Sequence, residues 1–386
     1  MAVIPLLCIV ALSEVAPFSV TLTALVTGVA VLTLWDPPHG RRSCMWDVAS
    51  GLVVVAAIFS YAVSQYRPTS LLSVLAILES VLLYHLVRSI RLDFTQNFLN
   101  AVNLVNSTVA LSSLSTFASR YGSWRVLGFS DLTLFKRQVQ LFSIPSYSGA
   151  RSLYFLISVI FALTSRRSVK GVYGQILLVT AIALNASCCL LSFQRGMYIA
   201  LLPLLVVEFY RVRQPLRDAS MSSEKPILLT TTLLVALWFP QPVLRTVEIY
   251  QNVSQVRSAK GRNEMVFDGI NIFKSRPLTG VGIGNFTHAD RGDRRDNPDR
   301  YSPAAFNSLV ELIAEQGLIG IAIAALVAAL VLPSLKRDVS GRALEDIAAF
   351  GAIFIFLLTQ SAITEHRRIC DLAAIWMSFR ANEKCG

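Results

Sequence analysis

The residues with the clearest chemical potential lie between Arg262 and Glu315. The stretch "SRPLTGVGIGNF", residues 275–286, sets Gly280, Gly282 and Gly284 at alternate positions, with Arg276 and Pro277 ahead and His288 just behind. A glycine-rich turn with a basic flank can aim backbone N–H groups at phosphate. Glycine equally admits the positive φ that a tight turn between two helices needs. Both uses fit. A nucleotide loop does not: the spacing is G-x-G-x-G, no hydrophobic strand precedes it, and no Gly-Lys-Ser/Thr ends it. Further on, at 100° per residue, Asn307, Ser308, Glu311 and Glu315 share one helix face. That face reads either as the solvated stripe of an interface helix or as part of a site in which Glu311 takes a proton. His288 is a second proton acceptor by chemistry, with a solvent-facing loop histidine as the plainer reading.

The elements that must position these residues are membrane spans. The 386-residue chain is 54% hydrophobic and 15% charged, against about 25% charged for a soluble domain. Apolar runs of spanning length recur along it. The expected fold is all-α and polytopic, a single membrane domain over 1–386. About twelve spans are expected, at 2–13, 17–35, 47–64, 69–87, 97–118, 148–165, 173–191, 195–210, 226–241, 305–332, 343–362 and 368–380. The stretch 305–332 reads as a surface helix leading into a span. Met1 to Leu12 lacks a basic leader and a small-residue cleavage site, so it is expected as a retained span.

Lysine and arginine gather in alternate short loops, at Arg41, Arg42, Arg88, Arg91, Arg166, Arg167, Lys170 and again at Lys336, Arg337 and Arg342. These loops are therefore expected inside. Two long loops, 119–147 and 242–304, then fall outside, the second between spans 9 and 10. Both are rich in arginine and lysine, which suits a vestibule for an anionic ligand. The net charge of +11 agrees with anionic partners, membrane lipids among them, but no basic soluble module suggests nucleic acid. The six cysteines and four histidines show no metal spacing, and Cys188–Cys189 inside an apolar run is expected to pack.

The run "GRNEMVFDGINIFKSRPLTGVGIGNF", followed by "FNSLVELIAEQGLIGIAIAAL", resembles the bacterial O-antigen ligase and O-antigen polymerase superfamily. Members show an arginine, a helix, "PLxGxGxGNF", and then "HNxxLxxxxExGxxG" entering a span. The resemblance covers about residues 261–325. "LLSFQRGMYIALL", 190–202, is similar to the family's serine-arginine-glycine segment, with Gln194 where serine is usual. Glu315 and Gly317 match the family's E-x-G.

The resemblance implies transfer of a glycan from an undecaprenyl diphosphate carrier to an acceptor sugar hydroxyl. The acceptor would be a saccharide or a lipid A-core sugar, at the periplasmic face of the inner membrane. It implies a glycosyltransferase of surface polysaccharide (O-antigen or exopolysaccharide) synthesis working without metal or other cofactor, and polysaccharide-assembly proteins as partners. Arg195 and Arg262 match family arginines, and a guanidinium fork suits a leaving diphosphate. Their plainer readings are an interface snorkel and an ion pair with an acid such as Asp268. Arg276, Gly280, Gly282, Gly284, Asn307 and Glu315 are expected to bind substrate. The sequence departs from the ligases at Phe306, where they carry histidine, and phenylalanine cannot take a proton. Polymerase is therefore favoured over ligase. A lipid-linked saccharide transporter and a catalytically silent glycan-binding relative are the alternatives.

Overall fold

A computed structural model describes residues 45–88, 95–121, 148–166, 168–169, 171–191, 195–213, 257–286, 288–289, 307–336, 342–359 and 377. The expected spans 2–13, 17–35 and 226–241, nearly all of 368–380, residues 122–147 of the first long loop, 242–256, 287 and 290–304 of the second, and Phe306 lie outside the described residues.

Among the described residues the helices are α1 (Met45–Ala62), α2 (Arg67–Arg88), α3 (Thr95–Tyr121), α4 (Ser148–Ser165), α5 (Val172–Leu191), α6 (Arg195–Arg213), α7 (Arg257–Ser275), α8 (Ser308–Lys336) and α9 (Arg342–Thr359). Eight match expected spans to within a few residues, and α7 is the helix expected ahead of the glycine turn. Among the described residues, four are long and apolar enough to cross a membrane: Met45–Ala62, Arg67–Arg88, Val172–Cys189 and Ser308–Leu330. Leu153–Ser165 and Gly196–Val207 are shorter apolar helices.

The chain divides into two compact units, Met1–Leu92 with Glu248–Gly386, and Asp93–Val247. In the first, α1 and α2 form an antiparallel hairpin, α8 packs on α1, and α7 and α9 pack on α8. At one end Trp46, Ala49 and Tyr84 are buried together, with Val327, Phe350 and Met377 against them. At that same end Arg88 pairs with Asp47. The Tyr84 hydroxyl donates to Asp47 Oδ1 at 3.2 Å and accepts from Arg88 Nη1 at 3.0 Å. A cation and an anion with few waters around them are tolerable because each finds a partner. At the other end Ala57 and Val74 pack on Ile283 of the glycine turn. The α1–α2 turn and the glycine turn thus share one end of this unit.

In the second unit α5 packs on α3 and α4, and α6 packs on α4 and α5. Ala162, Leu178, Ala181 and Ile182 form its α4–α5 contact, where small residues let two helices approach. Cys188 and Cys189 are free thiols buried on α5, used for packing as expected.

Candidate functional site: a glycine turn clasped by a broken helix

The site is built on a break in α8. Gly317 has φ 63° and ψ −157°, a conformation open in practice only to glycine. An unbroken α-helix would bond the amides of Leu318 and Ile319 to the carbonyls of Ala314 and Glu315. Instead Leu318 donates to the Pro277 carbonyl at 2.9 Å, and Ile319 to that of Leu278 at 3.2 Å. The two carbonyls released accept from Val281 at 3.1 Å and Gly282 at 2.8 Å. These two amides and two carbonyls opened by the break are therefore matched by the segment 277–282, as burial demands. Close approach decides the residue type: a Cβ on Gly280 would collide with the Glu315 backbone, and one on Gly317 would stand 2.6 Å from the Leu278 carbonyl.

Glu315 completes the clasp with its side chain. Its Oε2 accepts the Gly284 amide at 2.8 Å and its Oε1 the Phe286 amide at 2.9 Å. The carboxylate is 1% exposed. It occupies the place that a bound anion would take in a phosphate-cradling loop. The remaining turn amides are also committed: Gly280 to the Arg276 carbonyl, Ile283 to Ser60 Oγ and Asn285 to the Gly282 carbonyl. All seven N–H groups from Gly280 to Phe286 donate within the protein. Of the two uses open to this turn, geometry selects the tight connection, and the group it cradles is the side chain of its own Glu315.

The α1–α2 hairpin supplies the other wall. Asn285 Nδ2 donates to Ser64 Oγ at 2.7 Å, to Ser70 Oγ at 3.1 Å and to the Val281 carbonyl at 3.0 Å. Ser64 and Ser70 hydroxyls lie 2.7 Å apart, and Ser70 donates onward to the Ile283 carbonyl at 2.7 Å. The Ser64 proton therefore points to Ser70. The Tyr66 amide donates to Ser64 Oγ at 3.2 Å. The Tyr66 ring then stacks on His288, with centroids 5.2 Å apart and planes 30° apart. No local pattern marks these residues: the hydroxyls lie some two hundred residues from the turn they hold, and only their clustering around a short hairpin hints at a shared task.

The structure brings Gly280, Gly282, Gly284, Glu315, Glu311 and Asn307 together at the start of α8, with His288 immediately after the turn. Asn307 caps that helix, its Oδ1 accepting from Leu309 at 3.0 Å and Val310 at 3.2 Å. Glu311 lies one turn before Glu315 and is buried, as is Glu315 itself, so the stripe expected on sequence to face solvent or substrate faces the interior. Arg276 is exposed where α7 ends. His288 is half-buried beside the exposed Tyr66. Arg262 lies in α7, and Arg195 opens α6 in the other unit; both have a described backbone only. Phe306 lies outside the described residues.

An apolar helical bundle whose spanning helix is broken to grip a glycine turn defines this region as part of a membrane protein. Residues 145–325, just under half of the chain, match the family model described as O-antigen ligase, which supports kinship of this segment with the O-antigen ligase/polymerase superfamily. Family members are integral membrane proteins and glycosyltransferase-like ligases or polymerases. The match supports a role in O-antigen ligation or polymerisation in general, with a lipid-linked glycan and a polysaccharide acceptor as partners. No curated protein matches the chain.

Proposed function

We propose that the protein joins a glycan carried on undecaprenyl diphosphate to an acceptor sugar hydroxyl, at the outer face of the bacterial inner membrane. The match over residues 145–325 carries this reading. In the step, the acceptor oxygen attacks the anomeric carbon, a glycosidic C–O bond forms, and the C–O bond to the diphosphate breaks. The acceptor proton passes to a base and the carrier leaves as its diphosphate. The leaving group is already a weak base, so it needs positive charge beside it more than a proton donor. Arg195 and Arg262 take that role, and Arg276, exposed at the end of α7, assists in drawing the anion.

His288 is the better placed of the two proton acceptors. It is half-buried next to an exposed tyrosine, whereas Glu311 is 4% exposed and packed within the helix contact. An imidazole within reach of a hydroxyl can accept its proton. Gly280, Gly282, Gly284, Asn307 and Glu315 serve by holding this surface in place, their polar groups being committed to the fold. Phe306 in the ligase histidine position favours chain extension on a carrier-linked repeat over ligation to lipid A-core.

The test is reconstitution in lipid with a short undecaprenyl diphosphate-linked oligosaccharide, reading free carrier and glycan length. Carrier release with lengthened glycan, lost in Arg195→Ala and Arg262→Ala, is expected. Release only upon addition of a lipid A-core acceptor makes the protein a ligase. No release with either acceptor, while the glycan still binds, overturns transfer in favour of a silent relative or a transporter.

A further inference from the structure

Asparagine recurs along α3 at positions 97, 100, 103 and 106. A side-chain amide inside an apolar bundle costs free energy unless its donors and acceptor are matched. Asn103 is 0% exposed, Asn106 2%, and Asn185 on α5 0%. Some of their groups have protein partners: Asn106 Oδ1 accepts from the Tyr154 hydroxyl at 2.7 Å, and Asn185 Nδ2 donates to the Ala181 carbonyl at 2.7 Å. The Asn106 NH2, the Asn185 oxygen and both ends of the Asn103 amide meet no hydrogen-bond partner among the described residues.

These groups converge. α3 and α5 run parallel, because Gly174 at the start of α5 lies against Asn100 while the Cys188 thiol near its end reaches the Ala110 carbonyl at 3.6 Å. Asn106 precedes Ala110 by one helical turn, and Asn185 precedes Cys188 by one turn. Residues one turn apart lie on one helix face, so Asn106 and Asn185 stand at one level on the facing sides of two packed helices. Asn103 is a turn further toward the start of α3. Tyr154 closes a third side from α4 through its bond to Asn106.

We propose that Asn103, Asn106 and Asn185 form an internal site for ordered water between α3, α4 and α5. The open groups are both donors and acceptors, and the three side chains are uncharged. An anion calls for positive charge or donors alone, and a hard cation for several oxygen ligands. Water both gives and accepts, and buried waters typically make two to four hydrogen bonds. One water accepts from Asn106 Nδ2 and donates to Asn185 Oδ1; a second serves Asn103. The bundle thereby keeps a hydrated polar seam inside an otherwise apolar contact. The inference is independent of the proposed transfer reaction.

The experiment is hydroxyl-radical footprinting by X-ray radiolysis of the full chain in lipid nanodiscs, in 18O-labelled water, read by mass spectrometry. Radicals born from a bound water oxidise the side chains beside it even where bulk solvent is excluded. Cys188, 1% exposed, and Tyr154 are expected to acquire label. Unlabelled Cys188 and Tyr154 beside a labelled, exposed Tyr173 overturn the site. In a second arm, the pair Asn103→Leu and Asn185→Leu changes shape little and removes the polar groups. Several-fold loss of label at Cys188 with a lowered thermal midpoint is expected. An unchanged or raised midpoint overturns the proposal, since a dry, mismatched cluster gains from becoming apolar.

Discussion

Leu318 donates its amide to the carbonyl of Pro277 at 2.9 Å, in place of the bond it would make to Ala314 in a continuous helix. With Ile319, Val281 and Gly282 making the matching exchanges, the segment 277–282 is spliced into two opened hydrogen bonds of α8. The turn and the helix are therefore one structural unit, and substitutions on either side of the splice should report on it together.

Gly317→Ala tests the break itself. Forcing an L-residue into φ 63°, ψ −157° costs about 1–3 kcal/mol, and the added methyl meets the Leu278 carbonyl. Thermal unfolding in detergent should show a lowered midpoint. A variant as stable as the parent would mean that α8 closes into a regular helix without loss.

Glu315→Gln keeps the length and shape of the side chain but replaces one accepting oxygen with an NH2. One of the amides of Gly284 or Phe286 then loses its acceptor, at about 1–3 kcal/mol for a buried unmatched donor. Glu315→Ala, which strips both, should lower the unfolding midpoint further. Equal midpoints for Gln and the parent would contradict the two-oxygen clasp.

Ser70→Ala and Asn285→Ala should not be additive. Their groups are joined directly, at 3.1 Å, and through Ser64, and residues within one hydrogen-bond network show coupling of about 0.5–3 kcal/mol. A double-mutant cycle on unfolding free energy measures it. Additivity would detach the α1–α2 hairpin from the turn.

Arg262→Ala should abolish glycan transfer while the protein remains in the membrane, because the proposed loss is charge at the leaving diphosphate rather than a fold contact. Membrane fractionation beside the product assay separates the two. Near-normal product from this variant would remove Arg262 from the reaction.

Phe306→His asks whether the missing ligase histidine limits the rate. If it does, carrier release with a lipid A-core acceptor should rise. If the rate is unchanged while His288→Ala abolishes transfer, the proton acceptor is His288. Unchanged transfer in both variants would leave the proton to another group and withdraw His288.

Helices were readable because apolar runs of spanning length need no long-range information: α4 begins and ends at the expected residues, and α1 and α2 lie within two residues of expectation. That the α1–α2 turn and the glycine turn meet at one end of their unit was not readable from either segment alone. The use of the turn was not readable. "TGVGIGNF" looks the same whether its amides await a phosphate or are already taken, and the deciding acceptors, Ser60 Oγ and the Glu315 carboxylate, come from other parts of the chain. The polar stripe at the start of α8 was legible as a face. Its burial depended on α7, where Gly269 leaves room for Val310 and Phe286.

The hairpin that holds Asn285 lies outside the family-matched segment 145–325. A chimera assembled from that segment alone would carry the glycine turn without the hydroxyls of Ser60, Ser64 and Ser70 that close over it. Anyone grafting residues 257–336 into a foreign bundle must bring a matching hairpin along, or supply three hydroxyl-bearing side chains at the same heights.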